Sequence, residues 1–300
     1  MTKAAMPHLA SVALACLLAV AAIAGRGFAE EAAPRVVASI APVHSLVARV
    51  MRGVGEPRLL ILPGASPHHY ALRPSEAGAL AEAELVVWIG PELERQLLRP
   101  LGMLSSGARL LQLDTVPGLV RLPWRGDGAD SIDPHFWLDP ENARTWIDSI
   151  AATLGEADPT HRRLYAENVV AAAAELTALE REIADRIAPL RGRPFILFHD
   201  AFQYFERRFG IEATGVLTPA DDRPPSPARV ARIRKLIRAS GARCLFRPPT
   251  ASAALARTVV EGTGARVAVL DPIGRDLSPG PDLYPALMRN IAAALVDCLG

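Results

Sequence analysis

The sequence predicts an α/β protein of two lobes, each a parallel sheet covered by helices, joined by one long linker helix. Three observations carry this reading. Short apolar runs alternate with longer helical patterns in two separate blocks of the chain. The runs are apolar throughout, as expected of strands covered on both faces of a parallel sheet. Between the blocks, Thr160 to about Leu190 contains no Gly, and no Pro before Pro189, while Leu164, Val169, Ala172, Leu176, Leu179, Ile183 and Ile187 recur at helical spacing. At 1.5 Å per residue that helix is roughly 45 Å long, enough to span a domain. A length of 300 residues, half of them hydrophobic, suits two such domains. The expected boundaries are an N-terminal lobe over 30–157, the linker helix over 158–190 and a C-terminal lobe over 191–300.

Residues 1–29 are set aside from the fold. Lys3 supplies a basic start, Leu9 to Gly25 are almost all small or apolar, and Gly27-Phe28-Ala29 offers a cleavage point before Glu30. This is the pattern of a secretory signal peptide. The apolar run is short for a membrane span. Export with cleavage near Ala29 places the mature chain outside the cytoplasm, with no inserted segment. Cys16 lies in mid-run after Ala13-Leu14-Ala15, a poor acylation pattern.

In the first block, Val36 to Ile40 reads as a strand, and a helix from Val43 to Arg52 ends at Gly53. Arg58 to Leu62 is the next strand. Gly64-Ala65-Ser66-Pro67-His68-His69-Tyr70-Ala71-Leu72-Arg73-Pro74-Ser75 follows as a turn, from which Ser75 caps a helix to about Glu82. Leu85 to Ile89 and Arg109 to Leu113 are strands around a helix from Glu92 to Leu98. Residues 114–133 are a Gly-, Pro- and Asp-rich loop. Asp139 then caps a helix with Pro140 at its first position. In the second block, strands are expected at Pro194–Phe198, Ile211–Val216, Cys244–Phe246 and Val267–Leu270. Helices are expected at Phe202–Phe209, from Ser226-Pro227 to Gly241, over 251–262 and from Leu283 to Cys298.

Charge excludes some partners. Lys3 and Arg26 leave with the signal peptide and no acid does, so the mature chain keeps 31 basic and 32 acidic residues. That balance calls for neither nucleic acid nor an anionic membrane. Cys244 and Cys298 remain as an even pair. An oxidising compartment favours their pairing, with two buried free thiols as the alternative.

Six histidines remain in the mature chain. His44, within a helix beside Val43 and Leu46, reads as structural, and His161 beside Arg162 and Arg163 as part of a solvated face. The others share a kind of place. His68 or His69, His135 and His199 all fall in sharp connections next to a strand end or a helix start, where ligand-binding groups gather in parallel sheets. Asp271 follows the last strand in the same way. Three imidazoles and a carboxylate form a suitable shell for zinc, whereas calcium would require more oxygens. The residues alone do not choose between His68 and His69.

The turn around His68, with Leu85-Val86-Val87-Trp88-Ile89-Gly90-Pro91, His135-Phe136-Trp137-Leu138-Asp139-Pro140, Phe198-His199-Asp200-Ala201-Phe202 and Leu270-Asp271-Pro272-Ile273-Gly274, resembles the zinc-binding periplasmic proteins of ABC importers, the ZnuA family. The resemblance covers essentially the whole mature chain. It implies two α/β lobes on a long helix, and a monomeric, non-enzymatic receptor that captures Zn2+ as cargo and delivers it to a membrane permease. It implies the ligands His68, His135 and His199, with Asp271 or a water as the fourth, and leaves His69 as a supporting or entry residue. Manganese carriers of the wider group have Glu in place of His199, so the imidazole points to zinc over manganese or iron. A disulfide near the C-terminus in the zinc branch matches Cys244 and Cys298. Many zinc members carry a long His-rich loop before the second motif; here Val120 to Asp133 is short, with Asp127, Asp130 and Asp133 and no histidine. The competing reading is a zinc hydrolase with Asp200 or Glu206 as base. No HExxH run and no nucleophile elbow accompanies it.

Overall fold

Among the described residues, eight short strands form two four-stranded parallel sheets with the same internal order. The structure, a computed structural model, describes residues 32–125, 131–218 and 224–300. The expected signal peptide and its cleavage point, Asp127 and Asp130 lie outside the described residues.

The first block runs β1 (Val36–Ala38), α1 (Ala41–Val50), β2 (Arg58–Leu59), α2 (Pro74–Glu82), β3 (Leu85–Trp88), α3 (Pro91–Glu94), α4 (Leu98–Leu104) and β4 (Arg109–Gln112). A 3-10 turn at Phe136–Leu138 leads into α5 (Pro140–Ala157) and then α6 (Arg162–Ile187). The second block runs β5 (Ile196–His199), α7 (Gln203–Phe209), β6 (Gly215–Thr218), α8 (Pro227–Ser240), β7 (Cys244–Arg247), α9 (Ala253–Val260), β8 (Arg266–Val269) and α10 (Leu283–Leu299). The sheets have orders β2-β1-β3-β4 and β6-β5-β7-β8, so the first strand of each block lies second from the edge in both. Chain direction reverses its lateral course there, and the carboxyl ends of those strands form the crevice where α/β sheets bind ligands.

Local signals set most boundaries. Asp139 accepts the Glu141 amide at 2.9 Å and Pro140 opens α5. Ser226 caps α8 through the Arg229 amide, and Gly241 ends it at φ 69°. The start of α2 differs from expectation. Arg73, not Ser75, is the residue before the helix, because Pro74 fits the first helical position without needing a donor. Glu76 then reaches back to the Arg73 amide at 2.7 Å. The strand expected over Ile211–Val216 begins only at Gly215. Ile211 and Ala213 are buried without strand pairing, and the Ala213 amide goes instead to Glu206.

The long helix α6 has 26 residues, roughly 39 Å. Tyr165, Ala172, Leu176, Leu179, Ile183 and Ile187 make its buried stripe, which packs on α1, α5 and α10. One continuous apolar core runs from Val36 to Leu299 through both sheets and this stripe, and smaller clusters fill the outer face of each sheet. Arg49 reinforces the junction. Its guanidinium is 4% exposed and reaches Glu175 on α6, the Pro281 carbonyl at 2.7 Å and Asp282 at the start of α10. Residues Pro34–Gly300 therefore form one compact unit. Cys244 and Cys298 are joined as a disulfide, tying β7 to α10.

Glu94 sits wholly buried at the carboxyl end of β3, accepting the Ile89 amide at 2.8 Å. The Ser39 hydroxyl and the Gly90 amide also favour its charged form. Burial outweighs these donors and pushes the carboxyl from 4.5 up to about 7. A raised folded-state value means that ionisation opposes the fold, so this contribution is intact below the unfolded value and lost as pH rises through 7. Glu94→Gln is expected to remove that slope. Denaturant unfolding should find the variant level with the parent at pH 4.5 and more stable by about 1–3 kcal/mol at pH 8.

Candidate metal centre

Two loops and the end of a strand deliver imidazoles to one point. His68 comes from the turn after β2, whose Gly, Ser and Pro residues let the chain reverse near the crevice. The Gln96 side chain holds this turn by donating to the Pro67 carbonyl at 2.6 Å. His135 stands just before the 3-10 turn that opens α5. His199 is the last residue of β5, paired with Thr218 on β6. The ring centroids are 5.5 Å apart for His68 and His135, 5.6 Å for His68 and His199, and 5.3 Å for His135 and His199. One nitrogen from each ring lies within 4.8 Å of the others. His135 and His199 are buried and His68 is half-buried. Zinc–nitrogen bonds of about 2.0–2.1 Å put tetrahedral nitrogens about 3.4 Å apart, so side-chain shifts of roughly an ångström would close the trio on one ion.

His135 is the most firmly held. Asp133 Oδ1 accepts its backbone amide at 3.0 Å and lies 2.7 Å from its Nδ1. That contact leaves Nε2 as the nitrogen to face a metal, the carboxylate–histidine arrangement that orients ligating rings. Asp133 is fully buried and takes a second donor, Gln203 Nε2, at 3.1 Å. Burial pushes its carboxyl up to about 7 against the pull of these two donors. Trp124 and Trp137 pack on the His135 ring at centroid distances of 5.8 and 5.2 Å. Trp137 also donates to the Pro272 carbonyl at 2.7 Å, linking His135 to the turn that carries Asp271.

Asp271 lines the same small cavity, about 50 Å³, as the three histidines. Its oxygens accept the amides of Ile273 at 2.9 Å and Arg275 at 2.6 Å, and it stands outside the cluster of three nitrogens. His69 is exposed and also outside that cluster. His44 is buried against the Pro57 carbonyl at 2.9 Å, as a structural residue. His161 is half-buried rather than solvated, because it sits 2.7 Å from Asp158 at the start of α6.

The two acids considered as a catalytic base are already engaged. Asp200 is fully buried and Glu206 nearly so, and both are bound by the guanidinium of Arg125. Burial still lifts Asp200 to about 6, against the attraction of Arg125. Arg125, Gln96 and Gln203 were not singled out by the sequence. Only the Asp133-Pro134-His135 spacing carried a signal, an aspartate two residues before the histidine it orients.

A family model described as ZnuA, zinc-uptake complex component A periplasmic, matches residues 36–298. The chain belongs to the ZnuA family. Among ZnuA relatives, the high-affinity zinc uptake system protein ZnuA of Brucella abortus (strain 2308) is 40% identical, covering 88% of this chain and 91% of its own length. The protein of the same name from Paracoccus denitrificans (strain Pd 1222) is 36% identical, covering 97% of this chain and 98% of its own. Among solved structures, a ZnuA deletion mutant with zinc bound superposes with a TM-score of 0.78 at 26% identity, over 89% of this chain and 98% of that one.

Proposed function

We propose that this chain is the periplasmic receptor of a zinc ABC importer, which captures Zn2+ between its two sheets and hands it to a membrane permease. The observation that carries this reading is the convergence of His68, His135 and His199 within 4.8 Å. Neutral imidazoles suit zinc, and Asp133, 2.7 Å from His135 Nδ1, is placed to favour the tautomer that turns Nε2 to the metal. The three histidines are the ligands. Asp271, the one carboxylate among the described residues that line the cavity, completes the shell if it releases its turn amides; otherwise water does. His69 stands at the edge as an entry residue.

The protein acts as a monomer after cleavage near Ala29, with lobes over 30–157 and 191–300 joined by the segment 158–190. Among the described residues no helix is long and apolar enough to cross a membrane. The cavity at the three histidines is small, about 50 Å³, room for an ion and a water or two. The continuous core between the sheets favours release through local movement of ligand loops.

Native mass spectrometry of the mature chain under metal titration tests this reading. One zinc per chain, retained against excess manganese, is expected. Absence of zinc uptake, or zinc-dependent turnover of ester, peptide or phosphate substrates, would overturn it. Asp133→Ala is expected to weaken zinc binding roughly 10- to 100-fold in chelator competition, by freeing the His135 ring. An unchanged affinity would mean that the carboxylate does not orient the ligand.

A further inference from the structure

Arg125 makes contacts that the zinc-receptor reading does not use. It lies on a short antiparallel ribbon, in which Pro123 pairs with Ile132 and the Trp124 amide donates to the Ser131 carbonyl at 3.1 Å. The same ribbon carries Trp124, which packs on His135, and Asp133, which orients it. From there the Arg125 side chain crosses to the second block of the fold. Its Nε lies 3.0 Å from both oxygens of Asp200, NH1 is 2.8 Å from Glu206 Oε2, and NH2 is 2.7 Å from Glu206 Oε1 and also contacts Asp200. One guanidinium thus forms paired bonds with two carboxylates, a geometry lysine cannot reproduce. Asp200 is the residue directly after His199. The Asp200 amide is fixed in turn by the Thr218 carbonyl at 3.3 Å.

We propose that Arg125 is a positioning residue for the metal centre: it pins the ribbon that orients His135 to the turn that carries His199, and so slows zinc release. The proposal rests on the zinc-receptor reading. Two of the three imidazoles belong to the structures that Arg125 joins, one on each side. With the pin intact, Trp124 and Asp133 stay against His135 and the His199 turn stays in register with them. Without it, the ribbon is held to the second block chiefly by Gln203, which donates to the Pro123 carbonyl at 3.0 Å and to Asp133, and by Tyr204, which donates to the Asp133 carbonyl at 2.8 Å.

The test is the zinc dissociation rate of the mature chain, followed by rapid mixing of the zinc complex with a chromogenic chelator. Arg125→Ala is expected to release zinc roughly ten times faster or more, the scale on which groups supporting metal ligands act. It should still bind one zinc per chain and show an altered visible spectrum when loaded with Co2+. Arg125→Ala leaves two buried carboxylates facing each other, so its fold is at risk. The triple variant Arg125→Met, Asp200→Asn, Glu206→Gln removes that strain along with the pin, and fast release is expected there too. Release from the triple variant within twofold of the parent, with the parent's Co2+ spectrum, would overturn the proposal. If the parent itself takes up no zinc, it is the receptor reading that fails.

Discussion

Zinc affinity is expected to fall by roughly two to three orders of magnitude when His135 is replaced by alanine. Apparent zinc-binding energies at four-ligand sites are about 10–16 kcal/mol, so each ligand carries about 2.5–4 kcal/mol, and each 1.4 kcal/mol is tenfold. His135 is the position where this should be seen most clearly. It is 2% exposed and fixed by Asp133, so its nitrogen is already ordered before the ion arrives. Binding through His135 therefore costs little further side-chain entropy. His135 lies outside the strands of both sheets, so the metal-free variant should keep its fold. Competition titration against a calibrated chelator reads the loss, and circular dichroism of the metal-free form checks the fold. A fall of less than fivefold would remove His135 from the ligand set.

Removal of the disulfide should give the largest effect on stability. Cys244 and Cys298 are 54 residues apart in sequence. Opening a loop of that length costs about 4 kcal/mol in the chain-entropy model. For a chain of this size that corresponds to a melting temperature lower by roughly 10 °C. Replacement of both cysteines by alanine avoids burying new polar groups, since Cys244 is 0% and Cys298 3% exposed. Zinc affinity should stay within a fewfold of the parent, because Cys244 opens β7 while the metal centre gathers at the opposite, carboxyl ends of the strands. Differential scanning calorimetry with and without reductant measures the effect. Equal melting temperatures for parent and variant would contradict it.

The fold was legible because its signals are local. Continuous apolar runs, Asp139-Pro140, Ser226-Pro227 and the clean run into α6 each specify an element from a few neighbouring residues. Local signals failed where burial came without strand pairing. Ile211 and Ala213 read as strand because they are apolar, yet their amides go to α7, that of Ala213 to the Glu206 carboxylate and that of Ile211 to the Glu206 carbonyl. The site was half legible. His68, His135 and His199 stood out as histidines at element ends, and the family resemblance separated His68 from His69. Arg125 could not stand out among 31 basic residues of the mature chain, because its partners lie 75 and 81 positions away. Glu94 likewise reads as an ordinary helix acid, and only the packed structure reveals a carboxyl with no route to water.

Whether three imidazoles, two from loops and one from the end of β5, hold one zinc ion decides the zinc-receptor proposal. X-ray absorption at the zinc edge of the loaded mature chain tests it most directly. Three imidazole nitrogens at about 2.0–2.1 Å are expected, with one oxygen donor completing four-coordination. Two or fewer imidazoles, or a shell of six oxygens, would contradict it.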